Sequence, residues 1–510
     1  TNVMNGKWEY IGEGGKHALF ASDDFPEKLL RIEKDALRNA FVGTSHDADD
    51  NSKCQDDHDL SCHHSLQYVQ RCIYPCLLPY VDIPEVVPLD WVFLVRLRET
   101  TISDRVIPDA RAKDWIPPTL NESVIGKKRR RPTGMLIVDY RVALPRTVKS
   151  SAHILGRRLR LEIKPKAGYL SLSPLVNPSH RAKLKSSRFS LLQVLHQQGH
   201  VEKGWARSAQ GVQKSDYDPL DLFSQEAHRM TRAIRSLVAS PQNNLKLWYN
   251  KDNVTKDAKL LTKDMEALLK DMGLVGSAGL FDDRMIETQF ATFLANILVP
   301  ILSHQTILEK LLTLQKLDIL DADGAILVSE RLLALCDGSK SRAEEYITKV
   351  SYRDGNENVH SLLSPSPFNL DSSTNESRVL ALCEITEEFR FALQDRAPEL
   401  PPSDCLDDFH NKAKAVVSEL SIEECSFLLA NWLLSLAMCD VSILFMFEQL
   451  PLRTLTEFSG VSMIDDTDTT DGCGVLQSCL SEGVTFRFAY MTRIIDFDQK
   501  PPKKLWDKKD

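Results

Sequence analysis

The sequence predicts a mixed α/β protein of the α+β kind, divided into two or three domains or lobes. Three observations carry this. The chain opens on short strand-like runs around a glycine-rich turn, in "GKWEYIGEGGKHALFASDDFPEKLLRIEK" at residues 6 to 34. From Tyr217 onward apolar residues recur at helical spacing, and residues 259 to 335 are largely helical by the same pattern. At 510 residues the chain also exceeds what one small core organises.

In order along the chain, the opening reads as strand, glycine turn, strand, loop, strand. Such a turn lets backbone N–H groups approach a phosphate because no Cβ intervenes, although "GEGG" alone is a weak signal. Residues 44 to 66 are acidic and polar and read as a surface insertion. Their Cys54, His58, Cys62, His63 and His64 fit no usual zinc spacing. The basic run "GKKRRRPTG" at 126 to 134 precedes an apolar strand, "MLIVDYRV", and is either a solvated loop or a nuclear import signal. After Tyr217 a helix is predicted from the spacing of Ala227, Met230, Ile234 and Leu237, capped by Asp221 or Ser224 and ending before Pro241. "LDILDADGAI" reads as a turn between helices, since the later ligands of a calcium loop are missing. Residues 361 to 377 have the composition of a Ser/Pro/Asn linker.

Residues 425 to 447, "CSFLLANWLLSLAMCDVSILFMF", are long and apolar enough for a membrane span. Asn431 and Asp440 argue against one, because an ionised carboxylate at that depth is costly in lipid. The expected reading is a buried helix ending near Met438, a turn at Asp440 and a buried strand. A last strand, within "VTFRFAYMTRIIDFDQKPPKKLW", delivers Asp496 and Asp498 to a basic tail.

The run "LEIKPKAGYL" at 161 to 170 poses the chemical question. Strand alternation through "RLRLEIKPK" puts Leu159, Leu161 and Ile163 on one face and Arg158, Arg160, Glu162, Lys164 and Lys166 on the other. Same-face neighbours lie roughly 6 to 7 Å apart, a spacing that suits two phosphates. The alternative is a solvated edge face, and Pro165 points to an edge or a strand end because it cannot donate to a ladder.

The net charge of −8 argues against a general nucleic-acid binder, so any polyanion site is local. Eleven cysteines without regular spacing, and an N-terminal stretch with no apolar signal segment, are those of a reducing compartment, cytosol or nucleus. What remains is a glycine turn, the basic residue Arg31 on a strand, the lysine pair 164 and 166, and carboxylates at strand ends, Asp440 and Asp496. Phosphoryl transfer uses this set: cations to cradle phosphates, one carboxylate to hold Mg²⁺, another to orient and deprotonate a hydroxyl.

"GEGG", "EIKPKAG", "SRF", "YDPLDLFS" with the following helix and "PQNN", "LQKLDILDADGAI", "CDVSIL" and "IIDFDQKPPKK" occur in that order from about Trp8 to the end. Together they resemble the inositol-pentakisphosphate 2-kinase family. The resemblance implies a two-lobed kinase-like fold, distantly similar to protein kinases, with an N-lobe over 1 to 142 and an enlarged inositide-binding C-lobe over 143 to 510. It implies ATP and Mg²⁺ as cofactors and transfer to the 2-hydroxyl of inositol 1,3,4,5,6-pentakisphosphate, giving the hexakisphosphate. Carried over residue by residue, Gly12, Glu13, Gly14 and Gly15 cover the ATP phosphates, followed by His17 where relatives often have asparagine. Arg31 contacts nucleotide phosphate, Asp139 lies at the hinge against adenine, and Asn243 and Asn244 match an asparagine pair near the nucleotide. Arg111, Lys166, Arg188, His196, Lys500 and Lys504 are the substrate contacts. Lys164 lies nearest the transferring group, Asp440 takes the hydroxyl proton, and Asp496 binds Mg²⁺.

The sequence departs from the family at His196, where relatives usually have lysine, and at Lys504, where plant relatives have arginine. Leu327 and Cys336 stand where plant relatives carry zinc ligands, so no such zinc is expected. A monomer is expected, in nucleus or cytoplasm, with an inositol polyphosphate as partner and neither membrane nor specific nucleic acid. The rival reading is a catalytically weak inositol-phosphate-binding scaffold.

Overall fold

Alternating burial is clearest in the first strands: in the run His17–Ala21, Ala18 and Phe20 are buried while their neighbours are half-exposed. In the computed structural model the described residues are 3–13, 17–33, 66, 68–90, 92–94, 96–97, 133–140, 157–197, 214–250, 252–256, 259–274, 282–352, 375–396, 406–450, 461–464, 472–479, 485–497, 500 and 505–506. By internal contacts the chain divides into two units, Thr1–Gln70 with Asp82–Leu144, and Arg71–Val81 with Pro145–Asp510.

The first unit is built on a five-stranded antiparallel sheet. Its strands are β1 (Glu9–Glu13), β2 (His17–Ala21), β3 (Lys28–Glu33), β4 (Glu85–Pro88) and β5 (Thr133–Val138), in the order β1-β2-β3-β5-β4. Trp8, Phe20, Leu30, Ile32, Phe93 and Leu136 form its core.

The second unit carries a seven-stranded antiparallel sheet and most of the helices. Its strands are β6 (Arg158–Ile163), β7 (Leu245–Tyr249), β8 (Asp252–Asn253), β11 (Ser442–Gln449), β12 (Val461–Ile464), β13 (Cys473–Cys479) and β14 (Thr485–Ile495). The short β9 (Thr255–Lys256) and β10 (Lys259–Leu260) pair separately. The order β12-β13-β14-β11-β6-β7-β8 puts β11 and β6 in the interior. The segment Arg71–Val81 belongs here: the Ile494 N–H donates to the Tyr80 carbonyl at 2.7 Å, and Lys310 Nζ donates to the Leu78 carbonyl at 3.0 Å.

The apolar run at 425 to 447 folds as its sequence implies. A helix spans Ile422–Met438, opened by a capping box in which Ser421 and Glu424 satisfy each other's backbone N–H groups. The chain turns at Asp440, and β11 follows with all eight residues buried. An uninterrupted apolar strand is what an interior position, covered on both faces, requires. The helix packs with Asp321–Leu335 and Lys340–Tyr352 around Leu320, Val328, Leu332, Phe427 and Leu428. By length and composition one helix among the described residues, Asp283–His304, is apolar enough to cross a membrane, but its buried residues pack on the helix Ala227–Ala239.

Two expectations change. The predicted caps of the helix Ala227–Ala239 serve elsewhere: its N-cap residue is Glu226, without a side-chain bond. Asp221 is instead gripped by Arg229 and Arg232, at 3.0 and 2.6 Å, and Ser224 accepts from the Glu226 N–H at 3.2 Å. The second change concerns β6. It is not a solvated edge, because β11 and β7 flank it and Arg160 and Glu162 are buried with the apolar face. Its charges are paired across the sheet, Arg158 with Glu448 at 2.8 Å and Glu162 with Lys246 at 3.2 Å.

Candidate functional site

The first unit holds the glycine turn and its neighbours. Between Tyr10 and Gly12 the pairing of β1 with β2 slips by one residue, a bulge beside the turn, and Glu13 pairs with Ala18. On the facing strand Arg31 donates to the Nδ1 of His17 at 2.8 Å, so the two predicted nucleotide contacts meet on β2 and β3. Asp139 is buried just after β5, its N–H donating to the Glu27 carbonyl at 2.9 Å. Gly14, Gly15 and Arg111 lie outside the described residues.

In the second unit the lysine pair occupies a loop, and the alternation that put Lys164 and Lys166 in one ladder stops at Ile163. Pro165 ends the strand, as its missing N–H demands. Hydrogen bonds to distant segments hold this loop. The Lys164 N–H donates to the Asn244 carbonyl at 2.9 Å, and the buried Tyr217 hydroxyl donates to the Pro165 carbonyl at 2.8 Å. Lys166 takes a left-handed backbone, φ 62°, which costs of order 1 kcal/mol or more for a residue with a Cβ. Its carbonyl accepts from the Nε2 of Gln315 at 2.9 Å, while the Oε1 of that amide accepts from the Gly168 N–H at 2.8 Å. Gly168 is required by space, since a Cβ there would lie 2.2 Å from the Phe223 ring.

Gln315 is a residue that sequence reasoning passed over. It is fully buried, and its Nε2 also donates to the Met438 carbonyl at 3.2 Å. One amide thus ties the lysine loop to the helix end that presents Asp440. Its only sequence signal is a polar residue closing the apolar helix Ile307–Gln315, inside the "LQKLDIL" block.

Asp440 sits in the turn after that helix, its N–H donating to the Ala437 carbonyl at 3.1 Å. Two amines converge on its half-exposed carboxylate: Lys500 donates to Oδ2 at 2.7 Å, and Lys166 Nζ stands 3.9 Å from Oδ1. Partial burial works against the charge on Asp440, but the Lys500 hydrogen bond, with Lys166 and Lys164 nearby, prevails and holds the carboxyl below its usual range. For Lys166 burial dominates, aided by repulsion from Lys164 and Lys500 against the attraction of Asp440, and the amine is held below its ordinary value. The neighbouring Cys439 thiol is pushed up to about 12 by burial and is a packing group, not a nucleophile.

Asp496 follows β14 directly, exposed and with a left-handed backbone, φ 68°. Ile495 pairs with Ser442, so a regular strand would turn residue 496 to the opposite face. The left-handed step returns it, and its Oδ2 lies 3.2 Å from the Ser442 hydroxyl. The two predicted carboxylates therefore flank the start of β11, one just before the strand and one on its neighbour.

Asn244 is buried and serves the lysine loop through its backbone; Asn243 beside it is exposed. Arg188 stands in a network in which it donates to Asp318 at 2.6 Å and Asp321 at 3.0 Å, its guanidinium 5.4 Å from the centre of the Tyr169 ring. Burial opposes its charge, yet Tyr169 and the two aspartates outweigh this and raise its pKa. His196 falls in the helix Arg188–Gln197, its side chain outside the described residues, as Lys504 is altogether.

Amines gathered on one carboxylate, with a second carboxylate exposed at an adjacent strand end, are the kinds of group that phosphoryl transfer to a polyanionic alcohol uses. Mg²⁺ is commonly held through one or two carboxylates with phosphate oxygens completing its shell, and Asp496 has the exposure for that role. Among the described residues no group of three acidic, histidine or cysteine side chains forms an all-protein cage.

The inositol-pentakisphosphate 2-kinase family profile matches residues 10–510, and the chain belongs to this family. It is 26% identical to an inositol-pentakisphosphate 2-kinase of Arabidopsis thaliana, over 62% of this chain and 68% of that protein. A protein of the same description from Oryza sativa subsp. indica is 30% identical over 33% of this chain and 34% of its own length. One from Danio rerio is 39% identical over 17% and 16%.

Proposed function

We propose that the protein transfers the γ-phosphoryl group of ATP to the 2-hydroxyl of inositol 1,3,4,5,6-pentakisphosphate, on a two-lobed kinase-like scaffold. The observation that carries this is Asp440 held between Lys166 and Lys500, with Asp496 at the adjacent strand end. Lys164 stabilises charge on the transferring group, and Lys166 and Lys500 grip inositide phosphates. Arg188, His196, Lys504 and Arg111 are proposed as further contacts of that substrate. As nucleotide contacts we propose Gly12 to Gly15, His17, Arg31 and Asp139 of the first unit, and Asn243 and Asn244 of the second. Asp496 would hold Mg²⁺, which neutralises charge on the nucleotide phosphates when bound.

Asp440 is a poor base while two ammonium groups stabilise its anion. Those amines are the proposed phosphate ligands. A bound polyanion competes for them, weakens their hold on the carboxylate and raises its basicity where the hydroxyl needs it. Incubation with Mg-ATP and the pentakisphosphate is expected to yield the hexakisphosphate; tight binding without product would favour a scaffold. A monomer in the nucleus or cytoplasm is the accompanying proposal, checked by light scattering and by imaging of the tagged protein.

Lys166→Ala is expected to raise KM for the inositide about 10-fold or more while leaving KM for ATP within about 2-fold, because a charge-assisted contact is worth about 1.5–3 kcal/mol. An unchanged inositide KM in steady-state assays would remove Lys166 from the substrate site. The same residue also gives rise to a pH effect. An amine held below its ordinary value loses its proton first as pH rises, and bound phosphate drives it back up. Inositide binding is therefore expected to take up protons at alkaline pH, detected by calorimetry in buffers of differing ionisation enthalpy. The uptake should shrink in Lys166→Met, and equal uptake in both proteins would refute the assignment.

A further inference from the structure

β11, β6 and β7 bring together a chain of polar groups that the proposed chemistry does not use. Glu162 pairs with Lys246 across β6 and β7 and with Leu444 across β6 and β11, so Glu162, Lys246, Leu444 and, two residues back, Ser442 share one sheet face. Lys246 Nζ stands 3.2 Å from both oxygens of Glu162. The Ser442 hydroxyl lies 3.0 Å from Glu162 Oε1 and 3.2 Å from Asp496 Oδ2. Ser442 is fully buried, and Glu162 is 8% exposed.

A hydroxyl carries one proton and cannot fully satisfy two carboxylates. Two anions facing one buried hydroxyl would repel each other unless one is neutralised. Lys246 does this for Glu162, with both carboxylate oxygens in reach. The serine proton is thereby shared: Lys246 weakens Glu162 as an acceptor, and the hydroxyl donates to Asp496 as well as to Glu162.

We propose that Ser442, backed by the Glu162–Lys246 pair, is a positioning residue that orients the Asp496 carboxylate for a divalent cation. This rests on the reading of Asp496 as the metal-binding carboxylate. Removal of an outer partner of a metal ligand typically costs 10–100-fold in metal affinity.

The test is Mn²⁺ affinity of the full chain saturated with ADP, measured by electron paramagnetic resonance, with hexakisphosphate binding measured in parallel. Ser442→Ala is expected to weaken Mn²⁺ about 10-fold or more, with hexakisphosphate affinity within about 2-fold. Ser442→Thr, which keeps the hydroxyl, should recover most of the loss. Lys246→Met, at the half-exposed end of the chain, should weaken Mn²⁺ in the same direction and covers the case in which Ser442→Ala does not fold. Asp496→Ala separates two failures. If it weakens Mn²⁺ while Ser442→Ala and Lys246→Met do not, the positioning role falls and the metal role of Asp496 stands. If Asp496→Ala changes nothing, both fall.

Discussion

Asp440→Ala is expected to lower kcat by about 10²–10⁴-fold, the range supplied by a positioned general base, while ATP affinity stays within about 2-fold. Its distinguishing signature is on the inositide. Removing the carboxylate frees Lys500 and Lys166 from their present partner, at 2.7 and 3.9 Å. Both amines then meet substrate phosphates without first breaking an ion pair, so inositide affinity should rise a few-fold as turnover falls. Loss of turnover with tighter substrate is what a base restrained by substrate-binding lysines produces; a purely structural role for Asp440 would weaken both. Calorimetry with hexakisphosphate and single-turnover assays separate these, and kcat within a few-fold of the parent would exclude Asp440 from the proton transfer.

The second large effect comes from a residue that touches no substrate. Gly168→Ala places a methyl group 2.2 Å from Cδ2 of the Phe223 ring, which is itself buried. Ring and loop must separate, at a cost near the upper end for overpacked cores, about 3 kcal/mol. The loop that gives way carries Lys164 and Lys166, and a displacement of about 1 Å in a positioned group is worth up to 10²-fold in rate. Expected together are a lower melting temperature and turnover reduced about 100-fold. Combining Gly168→Ala with Phe223→Ala should cost less than the sum of the two single changes, because the space the new methyl needs has been opened. A Gly168→Ala protein with parental stability and rate would contradict the geometry.

Much of this architecture was legible because it is local. The break at Asp440 between helix and strand follows from a carboxylate interrupting an apolar run, and the strands around the glycine turn from period-two alternation. Where tertiary position decides, sequence was silent. Alternation correctly grouped Arg158, Arg160 and Glu162 on one face, but whether that face meets water depends on which strands flank β6, and those are β7 and β11, far along the chain. The left-handed backbones of Lys166 and Asp496 are invisible to a pattern that assumes a regular strand. Motif resemblance named Asp440, Asp496 and the lysines, and the structure brings Lys166 and Lys500 onto Asp440. It could not name Gln315 or Ser442, whose importance lies in hydrogen bonds to residues 149 and 280 positions away. Nor could it foresee that Asp221 would prefer two arginines to a helix cap.

The side-chain amide of Gln315 bonds to the backbone at residues 166, 168 and 438. A loop and a helix terminus pinned by the same buried group cannot loosen independently, since opening either leaves that group without its partners. Deuterium should therefore enter the amides at 164, 168 and 440 at rates governed by one common fluctuation, slow in the parent and accelerated in concert when the shared pin is replaced by leucine.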